Sequence, residues 1–340
     1  MAEQASKVGC SVDYDKDGKQ HGYLNVPYSG NDSAWGAVRV PITTIKNGSG
    51  PTLLFTGGNH GDAYEGPIAL MKLLRVLEPE EIQGRVIILP ALNLPAVRAG
   101  TRLSPIDGAN MNRVFPGQRD GGVTSMIAHY VTSEILPMVD AAVDIHSGGK
   151  TLSFLPCAVM HQLPDPDLMD RTMAALLAFG APHGLVLLEL DAEGMLDSAA
   201  ETLGKVFIST ELGGGGTASV ETIGIADTGV RNLLCHFGLT EGEPVAHADR
   251  GAAPTRLLHT PDGTCFVTAD DRGIYEVFAD PGDSVQAGAA VGQIHSIEQP
   301  SRAPAVYHAR RDGLLICRHH PGLVQPGDCL AVIAADYQSS

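Results

Sequence analysis

The chain has 340 residues, 44% hydrophobic, 18% charged and 5% aromatic, which is enough apolar material for a full core and excludes a wholly disordered chain. Its 23 Lys and Arg stand against 39 Asp and Glu, a net charge of −16; such a field repels phosphate backbones and anionic lipid and argues against nucleic acid or a membrane surface as partner. No apolar run approaches the ~20 residues that span a bilayer. The opening residues lack a signal-peptide core and the six cysteines form no CxxC pair, so a cytoplasmic protein with reduced thiols is expected.

In chain order, residues 36–42 (GAVRVPI) alternate apolar and polar side chains and predict a strand. Short, nearly uncharged apolar runs at 52–56, 85–89, 141–145, 185–190 and 206–210 predict strands covered on both faces. Residues 67–77 predict a helix, with Pro67 in its first turn and apolar positions at 70, 73, 74 and 77; further helices are predicted at 124–139, 166–179 and 228–237. This alternation predicts an α/β fold, a mixed or parallel sheet with helices on both faces. Residues 241–256 read as a linker between a first domain over 1–245 and a second over 255–340.

The second domain is rich in short runs separated by Gly and Pro turns, which predicts an all-β barrel or sandwich. It contains a repeat. Gly273 is followed by Pro281-Gly282, Gly288 and Ile294, and forty residues on Gly313 is followed by Pro321-Gly322, Gly327 and Ile333. The module resembles the half-motif of biotinyl and lipoyl carrier domains. Those carriers need a lysine in the turn between the halves, and none follows Lys205, so a structural or oligomerisation module is expected instead.

Three predicted strands end in residues suited to chemistry. Gly57 to Pro67 (GGNHGDAYEGP) follows the first, Asp144-Ile145-His146-Ser147-Gly148-Gly149 closes the second, and Thr210-Glu211-Leu212 with four glycines closes the third. Ligands bind beyond the carboxyl ends of strands in open α/β sheets. His60 and His146 with a carboxylate there match a zinc site with an open position. Asp144, two residues before His146, shares its strand face and is placed to orient the ring. His129, His161, His183, His236, His247, His319 and His320 are read as ordinary loop hydrogen-bonders. A fourth segment, residues 93–117, carries Arg102, Asn110, Asn112 and Arg113 among Pro and Gly, a composition suited to gripping an anion.

Taken in order, H-G-D-x-x-E-G, T-R, N-x-N-R-x-F-P-G, D-x-H and T-E-L-G resemble the succinylglutamate desuccinylase/aspartoacylase family over residues 37–240. The fuller wording GGNHGD-x-YEGP with NMNRVFPG is closest to the branch that deacetylates N-alpha-acetyl-L-2,4-diaminobutyrate in ectoine breakdown. The resemblance implies a carboxypeptidase-like sheet and a zinc-dependent hydrolase of N-acyl amino acids. It implies that His60 and His146 bind Zn2+, that Glu211 is the general base, that Arg102 polarises the scissile carbonyl, and that Asn112 and Arg113 hold the substrate carboxylate. One position departs: the family's third ligand is a Glu three residues after the first His, and here that residue is Ala63. The chain thus reads as short of one ligand, whether naturally or as a variant. An aspartoacylase-type or desuccinylase-type enzyme, or a binding protein without turnover, are the alternatives, and association with further copies of the chain is left open.

Overall fold

The computed structural model describes residues 5–188, 193–247, 251 and 253–338. Its first half comprises β1 (Gly9–Cys10), β2 (Gly18–Gly30), β3 (Ser33–Asn47), β4 (Thr52–Gly57), α1 (Glu65–Val76), β5 (Gly84–Leu89), α2 (Leu94–Ala99), α3 (Val123–Tyr130) and β6 (Ala141–His146). There follow β7 (Leu152–Phe154), β8 (Cys157–His161), α4 (Pro166–Phe179), β9 (His183–Leu187), α5 (Leu196–Thr202), β10 (Val206–Glu211) and α6 (Val220–His236). None of the described helices is long and apolar enough to cross a membrane.

The sheet is mixed. β5, β4, β6 and β10 run parallel at its centre, and β3 and β8 flank them antiparallel. Strand alternation sends side chains to two separate cores. Leu53, Phe55, Val143, Ile145 and Ile208 pack under α1, α4 and α6, whereas Leu54, Ala142 and Phe207 face α3 and α5. Asp144, His146, Ser209 and Glu211 continue the second of these alternations, which puts the chemistry on the α3/α5 face.

Helix α4 matches its predicted range. The helix predicted at 228–237 is only the second half of α6, which begins at Val220 behind a capping box between Ser219 and Thr222. Gly224 and Gly229 lower the propensity of this segment, but packing overrides it: a Cβ on Gly229 would lie 2.2 Å from the Phe179 ring of α4. Part of the strand predicted at 185–190 and part of the predicted linker lie outside the described residues.

The C-terminal strands are β11 (Arg256–Thr260), β12 (Phe266–Thr268), β13 (Gly273–Val277), β14 (Ser284–Val285), β15 (Ala290–His295), β16 (Ala305–His308), β17 (Gly313–His319), β18 (Leu323–Val324) and β19 (Cys329–Asp336). The repeat is visible in the pairing. β13 pairs β15 and β17 pairs β19, while each short strand crosses over, β14 to β17 and β18 to β13. One half forms a separate four-stranded antiparallel sheet with β16; the other continues the large sheet, because β11 pairs both β9 and β19, and β7 pairs β17.

Candidate active site

The site starts from register. On the parallel strands β6 and β10, His146 lies opposite Glu211 and Asp144 opposite Ser209, while Thr56 of β4 lies opposite Asp144. Opposed residues of parallel strands share a face, so these side chains converge where the strands end. Asp144 is fully buried and accepts three hydrogen bonds: from Thr56 Oγ1 at 2.7 Å, from Asn59 Nδ2 at 2.7 Å and from His146 Nε2 at 2.5 Å. These donors hold its carboxyl below the usual carboxylate range although burial pushes the other way. For His146, burial works against the charged ring, but Asp144 and then Glu211 outweigh it and raise the imidazole above its ordinary value. Asp144 thereby fixes Nε2 and leaves Nδ1 for a ligand.

His60 sits in the turn after β4. The next residue must be glycine, because a Cβ on Gly61 would lie 2.0 Å from the Ala96 backbone of α2. The His60 ring stands edge-on to that of His146, centroids 5.2 Å apart. Its Nδ1 is buried without a partner. Burial, and then the charges of Arg102 and His146, push the ring well below its usual range, which keeps it neutral. An orphaned nitrogen on a neutral, buried imidazole beside a second oriented imidazole suits a metal ion.

The fit is partial. Among the described residues no group of three or more His, Cys, Asp and Glu side chains is arranged to hold a metal. Ala63 supplies no donor, and Glu65 has Oε1 engaged by α6 and its buried Oε2 without a partner. It opens α1, is 1% exposed, and accepts from Thr222 Oγ1 of α6 at 3.0 Å. It is absent from the walls of the cavity described next.

His60, His146, Arg102, Arg113 and Glu211 open into one cavity of about 340 Å³, lined otherwise mainly by apolar side chains. Glu211 has one buried oxygen, Oε2, without a partner. Burial pushes its carboxyl up to about 7, against the charges of His146 and Arg102. A carboxylate so poised can take a proton and return it near neutrality. Burial draws Arg102 down, opposed by Glu211 and Asp62, yet a guanidinium stays charged there. The Asn112 carbonyl accepts from Leu196 N at 3.0 Å and from Asn59 Nδ2 at 3.3 Å, so only its NH2 can serve a ligand. Arg113 is exposed and donates to the Asn112 backbone carbonyl at 2.6 Å. The loop carrying these residues is anchored by Asp107, which accepts from Thr124 N and Oγ1 at 2.9 and 2.8 Å and caps α3 in place of Gly122.

The cavity also holds residues that the sequence left unassigned. His161, read above as an ordinary loop histidine, ends β8 and lines it together with Asp197 and Glu201 of α5. Phe266, Ile316, Cys317, Cys329 and Val332 of the C-terminal unit complete its wall.

Residues 49–237, more than half of the chain, match the succinylglutamate desuccinylase/aspartoacylase catalytic domain. The chain belongs to this family. It is 45% identical over 337 residues to an N-alpha-acetyl-L-2,4-diaminobutyric acid deacetylase of Halomonas elongata, covering 99% of this chain and 97% of that one. A product-bound structure of the ectoine utilization protein EutE (DoeB) from Ruegeria pomeroyi is 47% identical, with a TM-score of 0.93 over 98% of this chain and all of that one. A family structure from Rhodobacter sphaeroides is 45% identical, with a TM-score of 0.94 over the same shares. By family the chain is a hydrolase that cleaves amides of acyl amino acids.

Proposed function

We propose that the chain deacetylates N-alpha-acetyl-L-2,4-diaminobutyrate to acetate and L-2,4-diaminobutyrate, as a cytoplasmic step of ectoine breakdown. The observation that carries this reading is the convergence of Glu211, two imidazoles and Arg102 on one cavity, in a chain 45% identical to a deacetylase of that name. All six cysteines are free thiols, in keeping with a reducing compartment.

In this reading Arg113 and the Asn112 amide hold the substrate α-carboxylate, a planar anion suited to a guanidinium fork. That grip turns the acetamide carbonyl toward Arg102, whose fixed charge stabilises the developing oxyanion, an effect worth ~3 kcal/mol for one such donor. Glu211 takes the proton of the attacking water and delivers it to the departing amine nitrogen. Asp144 touches no substrate; it sets the angle and tautomer of His146. His60 and His146 would hold Zn2+, which supplies polarisation of the carbonyl and acidification of water when bound. With two imidazoles and no carboxylate, zinc is held less tightly than by a complete set, and the chain is a ligand-depleted form of the enzyme.

The test is a hydrolysis panel of N-acetyl and N-succinyl amino acids, run with zinc analysis on the chain and on Ala63→Glu. We expect N-alpha-acetyl-L-2,4-diaminobutyrate to be preferred, zinc below one per chain in the parent, and one per chain in Ala63→Glu with at least ~10²-fold more activity, beyond the range of an outer-shell partner. Preference for N-acetylaspartate or N-succinylglutamate would overturn the substrate. One tight zinc and unchanged turnover in the parent would overturn ligand depletion. Binding without turnover in both proteins would make this an acyl-amino-acid-binding protein, the reading that Ala63 favours.

A further inference from the structure

The cavity has a second charged end. Asp197 and Glu201 lie four residues apart and therefore on one face of α5. Both ring nitrogens of His161 face them, Nδ1 at 3.0 Å from Glu201 Oε2 and Nε2 at 3.6 Å from Asp197 Oδ2. The three side chains are largely buried, and Glu201 Oε1 is buried with no hydrogen-bond partner. Among the described residues two carboxylates share this imidazole; Asp197 Oδ1 accepts from Ser198 N and Oγ, whereas Glu201 Oε1 has no donor. No metal-holding group of three such side chains is present among the described residues.

This cluster lines the same cavity as Glu211 and the two imidazoles. His60, 4% exposed, presents its unpaired Nδ1 within the same walls. The acidic end is also keyed to the anion-gripping end. Leu196 N, one residue before Asp197, donates to Asn112 Oδ1 at 3.0 Å, and Phe115 N donates to Gly194 O at 3.0 Å. A ligand held by its carboxylate at Asn112 and Arg113 therefore meets α5 at a set distance.

We propose that Asp197, Glu201 and His161 form the subsite that receives the free side-chain ammonium of an acylated diamino acid, and so determine specificity. This rests on the deacetylase reading. Glu201 Oε1 accepts one ammonium N–H, Asp197 faces the charge, and His161 holds both carboxylates in place. Substrates ending in a carboxylate, such as N-acetylaspartate, meet like charge there and are refused.

Isothermal titration of the chain with N-alpha-acetyl-L-2,4-diaminobutyrate and with N-alpha-acetyl-L-norvaline, which puts a methyl where the ammonium stands, tests this without needing turnover. Two charge-assisted contacts correspond to a preference of about 100-fold for the charged compound. Glu201→Gln and Asp197→Asn should each cut that preference about tenfold while the norvaline compound binds within about twofold of the parent, which also reports an intact cavity. Equal affinity for the two compounds in the parent, or equal weakening of both in the variants, would overturn the proposal. The two readings fail separately. Tight, selective binding with no hydrolysis even in Ala63→Glu would sink the deacetylase reading and keep the ammonium site; hydrolysis without preference over the norvaline compound would do the reverse.

Discussion

Asp144→Asn separates charge from hydrogen-bond count at the most buried polar group of the site. Asp144 Oδ2 accepts from both Asn59 and His146, and Oδ1 accepts from Thr56. An Asn can keep its carbonyl toward Asn59 and His146 and turn its NH2 to the Thr56 hydroxyl, which can accept. The geometry survives and the charge does not. Three charge-assisted bonds lose the carboxylate charge, a difference of about 1 kcal/mol each, so about 3 kcal/mol of stability should go. The pH dependence has a defined sign. The Asp144 carboxyl is depressed in the fold, so its share is present above the unfolded value of about 3.9 and is lost as pH falls through the folded value. The His146 ring is raised, so its share is full below about 6.5 and is lost as pH rises through the folded value. The gap between parent and variant is therefore widest between about pH 4 and pH 6.5. Urea denaturation followed by far-UV circular dichroism across that range measures it, and competitive chelation should show zinc affinity down ~10–100-fold, the usual cost of losing an orienting partner. A stability change below about 0.5 kcal/mol at pH 6, with unchanged zinc affinity, would refute the reasoning, since ordinary surface substitutions reach that size.

Glu211→Gln, made alongside Ala63→Glu, should leave zinc content unchanged and lower kcat at least ~10²-fold; loss of zinc would make Glu211 a ligand instead. Arg113→Ala should raise KM for acyl amino acids far more than for amides lacking the carboxylate, whereas Arg102→Ala should lower kcat chiefly. Equal effects on both kinds of amide would remove Arg113 from carboxylate binding. Asp107→Ala removes the cap of α3 and should cost ~1 kcal/mol at neutral pH. Burial opposes the Asp107 charge, but donors from Thr124, Ser104 and Ala109 depress the carboxyl overall, so that cost should vanish as pH falls through the folded value. A gap persisting at the acid limb would mean that Asp107 acts through packing.

The strands that carry the chemistry were legible because fully buried parallel strands are short, apolar and uncharged, and the residues breaking that rule stand at their ends. Asp144 and His146 were paired by a period of two, which holds in any strand. The hairpin repeat after residue 256 could be read as well, since its Gly and Pro positions are local turn requirements. The acidic end of the cavity had no such signal. His161 and Glu201 are forty residues apart and meet only because β8 lies beside β10, to which α5 leads. A lone His at a strand end and an acidic pair on a short helix both look like solvated surface until the topology is known. Glu65 posed the opposite problem. Its distance along the chain from His60 leaves room for it to swing into the site, whereas the fold places its Oε1 on the Thr222 hydroxyl of α6.

The continuity of the large sheet bears on how such an enzyme can be inherited or cut. The stretch matching the catalytic family ends at residue 237, yet Phe266, Ile316, Cys317, Cys329 and Val332 wall the cavity, and the Leu152–Phe154 strand pairs with Gly313–His319. A gene fragment encoding the catalytic stretch alone would make a protein with its reactive groups facing open water and an unpaired apolar edge beside them, prone to stick to other copies. The two halves are therefore one unit of selection, and recombination that exchanges the C-terminal module between relatives exchanges a wall of the substrate cavity with it.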